Sequence, residues 1–139
     1  MPEANNYGKF AQSNKAGIVQ LTVATGVLSP TAPTNVVQVA QAGPNGALLT
    51  ELKFLPLATT VAGTYYLFSS LDAGATKEQI KGVRQGILTV DITTNGNPEV
   101  LFEWSRDDPL PLAANEILYL GTSFALAAGV NGIARWADL

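Results

Sequence analysis

The sequence predicts an all-β protein: an antiparallel β-sandwich, jelly-roll-like, of about eight strands, with an extended N-terminal arm. Three observations carry that reading. Short runs alternate apolar and polar residues with the two-residue period of a strand that buries one face. Gly, Pro, Asn and Asp separate nearly every pair of runs, at the spacing common in sandwiches. Neither a βαβ rhythm nor a heptad pattern nor a tandem repeat occurs in the 139 residues. A chain of this length builds one core, so residues 1–15 are assigned to the arm and residues 16–139 to a single sandwich domain.

The arm, Met1 to Lys15, is polar and has no hydrophobic period; Tyr7 and Phe10 are its only aromatic residues. Two uses are open to it: a solvated tail, or an arm that docks on a neighbouring subunit through those two rings. Ile18 to Thr25 sets Val19, Leu21 and Val23 against Gln20, Thr22 and Ala24, a half-buried strand. Pro30 and Pro33 interrupt it, and the β-branched run Asn35 to Ala40 forms a second strand. Gly43-Pro44-Asn45-Gly46 is the strongest turn signal, because Asn-Gly tolerates the positive φ of a tight hairpin. From Ala47 to Leu55, Leu48, Thr50, Leu52 and Phe54 oppose Leu49, Glu51, Lys53 and Leu55, and Pro56 ends the strand. Gly63 to Ser70 is a fourth strand, rich in aromatics. Asp72 to Gln85 holds either a helical turn near Thr76–Ile80 or a long loop. Gly86 to Thr93 alternates cleanly, and Asn95-Gly96-Asn97-Pro98 folds it into a hairpin with Val100 to Trp104. Glu116 to Ser123 is a strand, Gly129 to Gly132 a turn, and Ile133 to Trp136 the closing strand.

The composition removes whole classes of chemistry. The chain has no histidine and no cysteine. Ser-His-Asp and Cys-His nucleophiles, zinc sites and thiol redox chemistry are therefore outside its repertoire. Its net charge is −3 and its eight cations are scattered in sequence, which speaks against nucleic acid and against a membrane surface. No stretch is apolar for long enough to span a bilayer, and no signal-peptide pattern opens the chain. Charged residues are 14%, against a usual quarter, so either another chain covers part of the surface or neutral polar residues make it up.

Carboxylates are the catalytic candidates that remain, with Asp91 and Glu103 facing each other across the expected hairpin. Two solvated strand residues explain that pair better, and no catalytic residue is assigned. Asp107-Asp108 carries oxygen ligands for calcium but lacks the spaced pattern of a calcium loop, and Asp-Asp-Pro starts a turn instead. No glycine-rich phosphate cradle occurs, so no cofactor is expected. Tyr65, Tyr66, Phe102, Trp104, Tyr119 and Trp136 would form a sugar platform if they gathered on one face, although core positions suit them better. Trp136 has two uses open to it: plugging a neighbouring subunit, or stapling the end of the chain to its own sheet.

Two blocks resemble a group of small bacteriophage structural proteins. One is Pro33-Thr34-Asn35-Val36-Val37, then Ala42-Gly43-Pro44-Asn45-Gly46-Ala47, then Leu52. The other is the order Tyr65-Tyr66-Leu67-Phe68, Pro109-Leu110-Pro111-Leu112, Ile117-Leu118-Tyr119-Leu120 and Ala137-Asp138-Leu139. The likeness spans Thr31 to Leu139 and is loosest over Asp72 to Arg84. It implies a virion protein without enzymatic activity, of the capsid cement or decoration type. Such a protein is made in the host cytoplasm and sits on the capsid surface, bound to the major capsid protein and to itself as a homotrimer. Tyr7, Phe10 and Trp136 are the expected partner-binding residues. A tail, fibre or baseplate component and a carbohydrate-binding sandwich are the alternatives.

Overall fold

The computed structural model describes residues 13–26, 33–91, 93 and 96–139. Among them are nine strands: β1 (Ser13–Leu21), β2 (Val37–Gln41), β3 (Ala47–Pro56), β4 (Gly63–Ser70), β5 (Glu78–Gln85), β6 (Val100–Leu101), β7 (Leu110–Leu112), β8 (Ile117–Thr122) and β9 (Val130–Asp138). No described residue is helical. The strands form two antiparallel sheets. The five-stranded sheet runs β1-β9-β3-β6, with β7 also on β3, and the four-stranded sheet runs β2-β8-β4-β5.

The pairing is nested. β1 pairs with β9, β2 with β8, β3 with β7 and β6, and β4 with β5, as in one long hairpin folded at the β4–β5 turn. Rolling that hairpin up brings β3 against β9 and β4 against β8. This is the jelly-roll sandwich. β6 and β7 together fill one strand position: they meet opposite ends of β3, and the chain between them loops out.

The core lies between the sheets, and alternation puts it there. Leu49, Leu52 and Phe54 of β3, Val130 and Ala134 of β9, Tyr65 and Leu67 of β4, and Leu118 and Leu120 of β8 are all almost fully buried. Rings link the layers. Trp104 lies 5.9 Å from Phe102, Phe102 5.6 Å from Phe54, Phe54 5.0 Å from Tyr65, and Tyr65 5.4 Å from Phe124. The step from Phe54 to Tyr65 crosses from one sheet to the other. Aromatic pairs at these spacings add about 0.5–1.5 kcal/mol each beyond their area burial.

Several elements differ from what the sequence predicts. Ser13, Asn14 and Lys15, assigned to the arm, are the first residues of β1. The Gly43–Gly46 turn forms, with the Gly46 amide donating to the Gly43 carbonyl at 3.1 Å and Gly46 at φ 88°. It joins strands of different sheets, however, and makes no hairpin. In β3, Thr50 is an extra residue opposite β9. The inward phase therefore shifts from Ala47 and Leu49 to Leu52 and Phe54, and the Thr50 hydroxyl donates to the Arg135 carbonyl at 3.2 Å across the bulge. Glu78–Gln85, expected as a helical turn or loop, is β5, with Lys81 and Val83 on the inward phase opposite Leu67 and Tyr65.

Of the hairpin expected between residues 86–93 and 100–104, the described residues show a single antiparallel bridge, Asp91 to Gly96, and no pairing of 86–90 with 100–104. Residues 86–90 instead lie along the segment after β3: the Leu88 amide donates to Thr60 Oγ1 at 3.1 Å, and the Thr60 amide to the Leu88 carbonyl at 2.9 Å. β6 is thereby free to pair with β3. The expected closing strand is β9, which lies between β1 and β3 in the interior of its sheet.

Three substitutions test this packing. A methyl group on Gly17 would overlap the carbonyl oxygen of Val39, a backbone atom of the opposite sheet that cannot swing away. Gly17→Ala is expected to cost about 1–3 kcal/mol, whereas Gly86→Ala, with nothing within 4 Å, stays within about 0.5 kcal/mol. Phe54→Ala, which removes the crossing ring, is expected to cost about 3–5 kcal/mol. Urea unfolding of the three variants checks all of this.

Candidate interaction surface

The two outer faces of the sandwich differ in what covers them. On the four-stranded sheet, Tyr66 and Phe68 of β4 point away from the core, opposite Gly121 and Tyr119 of β8. Phe68 is nevertheless wholly buried. The chain's own loops close over this face. From one side comes the segment after β1, where the Thr25 amide donates to the Thr122 carbonyl at 2.7 Å and Thr25 packs against Gly121. From the other comes the β4–β5 loop, which lays Gly74 against the Tyr119 hydroxyl and Lys77 Nζ 5.0 Å from the Tyr119 ring centre.

Asp72 organises that second loop. Its carboxylate accepts from the Thr76 hydroxyl at 2.6 Å, the Thr76 amide at 2.9 Å and the Ser70 hydroxyl at 2.8 Å. These bonds, those from Thr76 first, hold its pKa down at about 2. Ser70 Oγ also accepts from the Gly74 amide at 2.8 Å, and Ala73 takes the left-handed φ of 60° that the tight turn requires.

The outer face of the five-stranded sheet has no such cover among the described residues. The registers align Ile18 of β1, Ile133 of β9, Lys53 of β3 and Leu101 of β6 in one row across four strands. Ile18 is 68% exposed and Leu101 62%. Four charged residues of this face pair among themselves. Arg135 Nε lies 3.7 Å from Glu51, and Lys53 Nζ lies 3.8 Å from Glu51 and 3.1 Å from Glu99. Pairs this exposed contribute little to stability, but they leave the face close to neutral.

Where the chain loops out after β6, a shallow cavity of about 320 Å³ opens between Thr50, Glu51, Phe102, Trp104, Arg106 and Arg135. A neighbouring hollow of about 230 Å³ shares Thr50, Arg106 and Arg135 with it and adds Lys15. Three cations far apart in sequence thus line one hollow, and two of them, Arg106 and Arg135, also flank the half-buried Trp104. The sequence carries no local signal for this group, because the β3 bulge and the β1–β9 register assemble it.

The residues singled out from sequence are placed as follows. Tyr7 and Phe10 lie outside the described residues. Trp136 is 8% exposed and belongs to the core cluster; its indole N–H has no partner among the described residues. The Tyr65 hydroxyl is likewise buried and unpartnered there; burial raises its pKa, and the Thr60 hydroxyl opposes the shift without completing a hydrogen bond. The six aromatics do not form a platform. Tyr65, Phe102 and Trp136 are buried, Tyr66 and Tyr119 lie on the covered face, and only Phe102 and Trp104 of the six line the cavity.

Asp91 and Glu103 are not set across a hairpin. Asp91 accepts from the Thr93 amide and hydroxyl, while Glu103 pairs with Lys81 at 2.8 Å, tying the β6–β7 loop to β5. Asp108 closes a turn on Ser105 through reciprocal backbone hydrogen bonds. Among the described residues no three carboxylates gather as a metal-ligand group.

The low pKa of Asp72 has a pH signature. A carboxyl group held at about 2 in the folded state, against an unfolded value near 3.9, stabilises the fold above pH 4. That contribution is lost as pH falls from about 4 to about 2. Asp72→Asn is therefore expected to be less stable than the parent at pH 6 and equal to it at pH 2, in parallel urea titrations. Compared with protein-family models, curated proteins and solved structures, the chain finds no match.

Proposed function

We propose that this chain is a non-catalytic structural protein of a virus particle, a cement protein that lies on the capsid and clamps neighbouring subunits of the major capsid protein. The observation that carries the reading is the outer face of the five-stranded sheet, which no described loop covers. Ile18 and Ile133 lie side by side there, Lys53 stands between them and the exposed Leu101, and Lys53, Arg135, Glu51 and Glu99 pair among themselves. An interface of this kind buries area without leaving unpaired charge. Three further features agree: the jelly-roll topology common among capsid proteins, the low charge content of 14%, and the resemblance of two sequence blocks to small phage structural proteins. Topology alone does not assign a function. A clamp works by mass action, since a ligand that binds only the assembled shell stabilises it.

The test is the copy number of the chain in purified particles, by quantitative mass spectrometry against the shell protein. A number comparable to the shell protein is the expected result. A few copies per particle would move the chain to the tail or baseplate, and absence would end the virion reading. Leu101→Glu, at an exposed position, is expected to release the chain from particles without lowering its Tm. One observation favours a second reading, a carbohydrate-binding module: Trp104 beside Arg106 and Arg135 in the 320 Å³ cavity. Glycan-array binding by the parent that is lost in Trp104→Ala would favour that module over the clamp.

A further inference from the structure

A β-sandwich of two open sheets has four edges, and each edge strand presents unpaired N–H and C=O groups that invite another strand. Three of the four edges here carry devices that discourage such pairing. β2 bulges at Val39, the extra residue between Gln38 and Ala40 opposite β8. β5 bulges at Ile80 and carries Glu78, Lys81 and Arg84. The fourth strand position of the larger sheet is broken into β6 and β7, and the latter contains Pro111. β1 carries none of these devices. All nine of its residues pair with β9 in unbroken register, and no described strand lies on its other side. It contains no proline, and its one charged residue, Lys15, is turned to Asp138 at 3.7 Å. Ile18, at its middle, is 68% exposed.

We propose that the open edge of β1 is a self-association surface. Two copies of the chain pair their β1 strands antiparallel about a two-fold axis near Gly17 and join their five-stranded sheets into one. The strand's own sequence argues for a second copy as occupant. In an antiparallel pair centred on Gly17, Asn14 meets Gln20, Lys15 meets Val19 and Ala16 meets Ile18. Amide faces amide, small apolar faces large apolar, and no two like charges are opposed. The contact is isologous, so it closes at two copies and does not propagate. It also extends the apolar contact, because Ile18 of each copy, already beside its own Ile133, gains Ala16 of the other. The two-fold pairing replaces the trimer expected from the sequence resemblance, and it is independent of whether the partner in the particle is a capsid protein. A single strand pair is a small interface, so the dimer is expected at concentrations on the order of 10 µM and above.

The experiment is sedimentation velocity on the full chain across a wide concentration range, with hydrogen exchange measured at both ends of that range. The expected result is a monomer–dimer equilibrium with protection of β1 amides rising with concentration. Ile18→Lys places two like charges diagonally across the two-fold axis at an exposed position. It is expected to weaken dimerisation by about tenfold or more with Tm unchanged. A chain that stays monomeric throughout, a trimer, a dimer indifferent to Ile18→Lys, or protection that rises elsewhere but not in β1 would each overturn the assignment.

Discussion

The contact between Phe54 and Tyr65 is the one on which the rest of the molecule depends. Each ring belongs to a strand near the middle of its own sheet, and their centres are 5.0 Å apart in the space between the layers. No disulfide is available to hold the sheets together, since the chain has no cysteine. The layers are held by area burial and by the line of rings running from Trp104 to Phe124. Both central strands reach the crossing point through their alternation, and β3 does so only after its bulge has reset the phase. With that contact in place, the β9 side chains fall inward at Val130 and Ala134 and outward at Ile133 and Arg135. The core and the candidate surface are therefore set by one register.

The difference between the two outer faces follows from loops, not strands. The turn held by Asp72 and the crossing segment around Thr25 seal Phe68 beneath the four-stranded sheet. The other face receives no comparable loop among the described residues, because the chain leaves that sheet at its ends and passes over the rim. The five-stranded face is therefore the broad surface that the described part of the fold leaves uncovered.

Much of this architecture was legible in the sequence. Val19 and Leu21, the Gly43–Gly46 turn, the aromatic strand at Gly63–Ser70 and the run at Ile117–Thr122 all lie where their residue patterns put them. Alternation reports which face a residue takes and says nothing about which strand lies beside it. The run after Gly86 therefore looked like half of a hairpin, although Thr59 and Thr60 capture its amides. Polar residues and Gly82 masked β5, whose inward phase is carried by the stem of Lys81 and by Val83. The cation group at Lys15, Arg106 and Arg135 was illegible for a different reason. It exists only where three distant segments are brought to the same corner, and no local pattern encodes such a meeting.

The nested pairing also governs when the molecule becomes a molecule. β9 lies between β1 and β3, and Ser13 finds its partner only in Asp138. On the ribosome, β1 and β3 emerge long before the strand that separates them, at about 5–20 residues per second. β3 can pair with β6 and β7 as they emerge, but the joining of β1 to β3 waits for β9. Folding with so many distant pairings is slow, on the millisecond-to-second scale of all-β domains. During that wait the strands that will flank β9 stand as open edges in a crowded cell, and the safety of the nascent chain rests on how quickly β9 arrives.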